Sequence, residues 1–102
     1  MFQKISNEDD FSTIQQGDWI VRYPLTGQSA VEIDLSDERF FMLYEVYKID
    51  SASGEIHLKN LDNAIADDQN DSDQAITREN GMRMLVKHKN DLIADDIWWH
   101  RP

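Results

Sequence analysis

Three histidines, His57, His88 and His100, and twenty acidic side chains are the groups of this 102-residue chain that could ligate a metal or move a proton. The histidines are scattered, with no HxH or HExxH spacing to set two of them on one face, so no metal site is expected among them. The acidic stretch 62–73 invites a calcium test. With Asp68 as position one of an EF-hand loop, Asn70, Ser72 and Glu79 fall at positions three, five and twelve. Asp73 then stands where the sharp turn needs glycine, Ala75 holds position eight, and the segment before the loop reads as strand rather than helix. The stretch reads instead as an exposed, solvated acidic loop. Burial, not abundance, raises a carboxyl pKa into a useful range, and no pattern here marks one acid as buried. No GxSxG, GxxxxGK or GxGxxG motif occurs, and the absence of cysteine removes thiolate nucleophiles, Cys-ligated zinc and disulfides. No catalytic, cofactor-binding or metal-ligating residue is therefore nominated, no cofactor is expected, and the chain is not expected to be an enzyme.

The aromatic set offers more. Trp19, Tyr23, Tyr44, Tyr47, Trp98 and Trp99 supply large rings, and rings exposed beside acids can grip a peptide that carries Lys or Arg. The competing reading is that they are simply the core of a small domain. Adjacent residues of a strand point to opposite faces, so Trp98 and Trp99 cannot both face one core, and one of them is expected at the surface. The partner-binding set nominated on these grounds is Trp19, Tyr23, Tyr47, Trp98 and Trp99, with Glu45 and Glu55.

The chain is long enough for one domain with its own core, and 40% apolar residues support folding without staples. Its formal charge of −10 repels phosphate backbones and anionic lipid, which argues against direct nucleic-acid or membrane binding and suits a basic protein partner. The same charge also serves solubility alone. MFQKISNEDD lacks the apolar core of a secretory signal, and no run approaches a membrane span, so a cytoplasmic protein is expected.

These residues must be positioned by a small set of elements. Ser6-Asn7-Glu8-Asp9-Asp10 offers an N-cap with acids in the first turn, so Asn7 to Gln16 reads as a short helix with Gly17 at its end. Asp18 to Tyr23 reads as a strand with Trp19, Val21 and Tyr23 on one face and Ile20 and Arg22 on the other. Val31 to Leu35 alternates as a half-buried strand, followed by a turn at Ser36-Asp37-Glu38. The most apolar run, Arg39 to Asp50, predicts a central or bent strand. Phe40, Met42, Tyr44 and Val46 line one face and Phe41, Leu43, Tyr47 and Ile49 the other. Asp50 to Gly54 is a hairpin loop returning through Ile56 and Leu58, with Glu55, His57 and Lys59 outward. For residues 74–89, Met82, Leu85 and Val86 on one face favour a helix, although Asn80-Gly81 is a hairpin-turn pair that would make MRMLVKH a strand. Arg78, Arg83, Lys87 and Lys89 make this segment locally basic, a complement to the acidic loop or a patch for an acidic partner. The tail packs Leu92, Ile93, Ile97 and at least one Trp back on the body, with a short strand or turn to close the sheet.

The succession of helical turn, Gly17-Asp18 before a strand, a bent strand, a tight hairpin at Gly54 and a closing tail is similar to small SH3-like barrels over Gly17 to Leu61 plus the tail. The resemblance implies a mainly β fold, an SH3-like barrel or strongly bent antiparallel sheet with one or two short helices. An α+β antiparallel sheet with one helix is the alternative. It carries no functional residue. The function expected first is a soluble, non-enzymatic interaction module that binds a protein partner through its aromatic and acidic surface. Second is an acidic inhibitor, a nucleic-acid mimic or immunity-type protein, which needs Glu32, Asp34, Asp37, Glu45 and Glu55 arrayed on one face. Third is a small hydrolase or metal binder.

Overall fold

A computed structural model describes residues 1–37, 41–61, 75–79 and 82–102. They form one antiparallel sheet and two short helices in the order β1 (Phe2–Lys4), α1 (Glu8–Ser12), β2 (Trp19–Arg22), β3 (Ala30–Val31), β4 (Met42–Asp50), β5 (Glu55–Asn60), β6 (Ala75–Glu79), β7 (Met82–His88), α2 (Lys89–Asp95) and β8 (Trp98–Arg101). Across the sheet the strands run β3-β1-β8-β2-β4-β5-β7-β6. Its edges, β3 and β6, do not pair with each other, so the sheet is open rather than a closed barrel. The C-terminal strand does not close an edge. β8 lies inside the sheet, between β1 and β2.

Both faces of the sheet carry a core. On the helix-covered face, Ile5, Phe11, Ile14, Ile20, Tyr44, Val46, Ile56, Leu58, Leu85, Leu92 and Trp98 form one buried cluster. On the other, Phe2, Val21, Phe41 and Trp99 are buried, and the half-buried Leu25, Ile33 and Leu35 of the connecting segments pack against them, with Val31 of β3 beside Phe2. Strand alternation sorts residues between the two: Ile20 joins the first cluster and Val21 the second, Trp98 the first and Trp99 the second. The expectation that one of the paired tryptophans reaches the surface is therefore overturned. Both are buried, because the strand that carries them has a covered face on either side.

Helix α1 starts where the sequence places a cap: the Asn7 side chain accepts from the Asp10 N–H, and the Asp10 carboxylate accepts in return from the Ser6 N–H. The helix is shorter than the expected span, yet Phe11 and Ile14 still reach the core. The Val31–Leu35 alternation survives as a burial pattern, Ile33 and Leu35 half-buried and Glu32 and Asp34 exposed, but only Ala30 and Val31 join the ladder. Asp34 then folds the chain by accepting from both the N–H and the hydroxyl of Ser36. β1 was not foreseen, since three residues are too short for a periodic signal.

The hairpin stands as expected. The Asp50 carboxylate accepts from the Ala52 and Ser53 N–H groups, and Gly54 takes the left-handed φ of 78° that returns the chain. The faces of β4 hold up to Val46 and then shift. A bulge between Val46 and Lys48 opposes an extra residue to β5, so Ile49 packs with Met42 and Tyr44 rather than with Phe41 and Leu43.

Residues 74–89 correct the helix reading. Ala75–Glu79 and Met82–His88 are strands, paired with Glu79 opposite Met82, and β7 adds to β5 with Leu85 opposite Leu58. Helix preference among Met, Lys and Arg is worth only a few tenths of a kcal/mol per residue. Pairing the open edge of β5 and burying Met84 and Leu85 outweighs it. Asn80 and Gly81, the acidic loop 62–73 with its trial calcium ligands, and Glu38 to Phe40 lie outside the described residues.

Candidate functional site

The buried polar groups explain where much of the chain's chemistry goes. Lys4 is 4% exposed on the face of Trp99. Its ammonium lies 4.5 Å from that ring's centroid and donates to the Leu25 carbonyl at 3.0 Å, the Asp96 carbonyl at 2.7 Å and the Asp96 carboxylate at 2.9 Å. All three donors of the ammonium are used, and the cation sits at the C-terminal end of α2, where orphan carbonyls favour it. Asp96 meets it from the left-handed region, φ 58°.

His100 is 5% exposed, and its Nε2 lies 2.8 Å from Asp18 Oδ2. The same oxygen accepts the Gln15 N–H at 2.9 Å, so the pair ties β8 to the turn after α1. A His–Asp pair in this position resembles half of an acid–base device, but its hydrogen bonds hold a turn and both side chains are largely enclosed. His88 has a third role: its Nδ1 accepts the Asn90 N–H and caps α2. His57 is half-buried on β5, so the three histidines serve three separate parts of the fold. Among the described residues no three His, Cys, Asp or Glu side chains converge as metal ligands do.

The nominated aromatic and acidic residues divide in two. Trp98 and Trp99 are internal. The Trp98 indole N–H donates to Asp95, and its ring meets Tyr44 with centroids 5.9 Å apart. The Trp99 N–H donates to the Tyr23 carbonyl at 3.3 Å. Trp19, Tyr23, Tyr47, Glu45 and Glu55 are all half-buried. Of these, strand pairing brings Trp19 and Glu45 side by side, and the row continues to Arg101 on one side and Lys59 on the other. The Arg101 guanidinium stacks 4.3 Å from the Trp19 ring and 5.0 Å from Phe2. Tyr47 lies in the bulge next along β4. Glu55 pairs with Asp50, five residues from Glu45 and so about 17 Å along the strand, too far to share a contact with Trp19. Tyr23 lies beyond the opposite end of β2, four residues and about 13 Å from Trp19.

Arg101 is the residue of this strip that sequence reasoning missed. Its signal was the alternation of WWHR, which puts Trp99 and Arg101 on one face.

Three exposed acids are held below their ordinary pKa by local donors. Glu8 is lowered by hydrogen bonding to Lys89, Asp34 by the Ser36 side chain and backbone, and Asp50 by the Ser53 and Ala52 N–H groups. Of the basic residues noted around 78–89, Lys87 faces Asp95 at 3.6 Å and Lys89 faces Glu8 at 2.8 Å. Among the described residues no helix is long and apolar enough to cross a membrane. No protein-family model, curated protein or solved structure matches the chain.

Proposed function

We propose that the protein is a non-enzymatic interaction module whose contact surface is the strip Arg101–Trp19–Glu45–Lys59 on the sheet face opposite the helices, with Tyr47 beside it. The observation that carries this reading is the stacked Arg101–Trp19 pair, half-buried and set in register next to Glu45. Arg and Trp are the side chains most enriched at the energetic centres of protein interfaces, and a stacked guanidinium loses little freedom on binding. The acid next to the ring suits a partner segment bearing Lys or Arg, the mode by which small SH3-like domains combine aromatic contact with charge. An acidic mimic is less well supported. Glu45 and Glu55 are about 17 Å apart along the strands rather than side by side.

Site-specific photo-cross-linking in the source cell tests the reading. A benzoylphenylalanine at Lys59 is expected to capture one protein of defined mass, whereas the same group at the exposed Gln28 does not. Capture should fall several-fold in the Trp19→Leu chain. Equal adducts at both positions, or none at Lys59, would refute the strip as the contact surface.

A further inference from the structure

On the opposite, helix-covered face, α1, the start of α2 and the β4–β5 hairpin enclose a cleft of about 460 Å³. Its floor is apolar, formed by Phe11, Ile14 and Ile49, and its rim carries Glu8, Asp9 and Lys89. That size suits one or two side chains of a ligand, and a mostly apolar lining with a few placed charges is the usual make-up of a binding cleft.

The rim charges do not balance. The Lys89 ammonium is 2.8 Å from Glu8 Oε1, whereas the Asp9 carboxylate has no partner among the described residues. Neighbouring acids are already committed: Asp10 accepts from Ser6, and Asp50 accepts from its own turn. Lys89 is fixed at its root, because its N–H donates to the Gly54 carbonyl at 2.8 Å, while its side chain keeps 31% exposure. Over the apolar floor, Glu8 thus has a flexible cation beside it and Asp9 has none among the described residues.

We infer that the cleft receives a Lys or Arg side chain of a basic protein segment, with an apolar neighbour of that residue on Phe11, Ile14 and Ile49, and that Lys89 is an internal competitor for Glu8. The incoming cation takes up Asp9 and displaces Lys89 from Glu8. This second surface is independent of the Trp19 strip, because Phe11, Ile14 and Ile49 belong to the core of one face and Trp19 to that of the other.

The test is an NMR titration of the full ¹⁵N-labelled chain with N-acetyl-Leu-Arg-Leu amide, and with the Leu-Glu-Leu peptide as control. Saturable shifts are expected at Asp9, Phe11, Ile49 and Gly54 with the Arg peptide alone. Lys89→Gln should tighten binding and Asp9→Asn should weaken it, each by about two- to fivefold, the range of an exposed ion pair. Both side chains lie at the surface, so well-dispersed spectra of the variants verify that the fold persists. The inference is overturned if neither wild type nor Lys89→Gln saturates at millimolar peptide. It is equally overturned by shifts spread evenly over the acidic surface, by equal binding of the Glu peptide, or by a Lys89→Gln affinity no higher than that of wild type.

Discussion

Trp98 and Trp99 are neighbours in the chain and lie on opposite faces of one sheet, each under a different kind of cover. Trp98 sits beneath the helices, in a cluster of eleven buried side chains among the described residues. Trp99 sits beneath irregular chain, in a cluster of four, surrounded by seven half-buried neighbours and a lysine ammonium. Helices cover a sheet with whole apolar stripes and satisfy their own backbone. Irregular segments and helix ends leave carbonyls over, and here the Lys4 ammonium collects one of each, Leu25 from the loop and Asp96 from the C-cap of α2. The Trp99 face is thus closed with the help of a buried cation that links its loop cover to the end of α2.

The largest effect should come from the tryptophans themselves. Trp98→Ala is expected to cost about 4–5 kcal/mol and Trp99→Ala about 3 kcal/mol, measured by urea unfolding. Fully buried neighbours cannot collapse into the first cavity, whereas half-buried ones can relax into the second. Equal costs, or the reverse order, would break the contrast between the faces. Lys4→Met comes next. It keeps a stem against Trp99 but leaves the Leu25 and Asp96 carbonyls without their donor, for a loss on the order of 2–3 kcal/mol. A change below about 0.5 kcal/mol would show that the irregular cover holds without its cation.

The smallest effect sharpens the comparison from outside both cores. Asp50 has a folded-state pKa below its ordinary 3.8, because the charged form accepts the turn's N–H groups. Its contribution is thus complete above pH 3.8 and is lost as pH falls through the lower folded value. Asp50→Asn should be less stable than wild type at neutral pH, with the gap closing in acid. Thermal melts across that range measure it, and a gap that widens in acid would reverse the sign.

Much of the fold was legible in local chemistry. The stretch Ser6 to Asp10 announced the start of α1, Asp50 and Gly54 announced the hairpin, and the alternation of Trp19, Ile20 and Val21 sorted the faces of β2 correctly. Each rests on hydrogen bonds or periodicity within a few residues, so the sequence alone determines it. Ile49 could not be placed that way, since a bulge depends on how β4 meets β5. Neither could residues 75–79 and 82–88, whose helical preference is weaker than the gain from pairing β7 with β5's open edge and β6 with β7.

The candidate sites were less legible still. The sequence supplied Trp19 and Glu45, but only the insertion of β8 beside β2 stacked Arg101 on Trp19, and only the packing of α1 near the hairpin made a cleft at Asp9. The paired tryptophans make the same point. Alternation fixed that they face opposite ways. Whether either face was wet depended on distant segments, the helices over one side and residues 24–37 over the other, and burial of that kind is decided by tertiary packing.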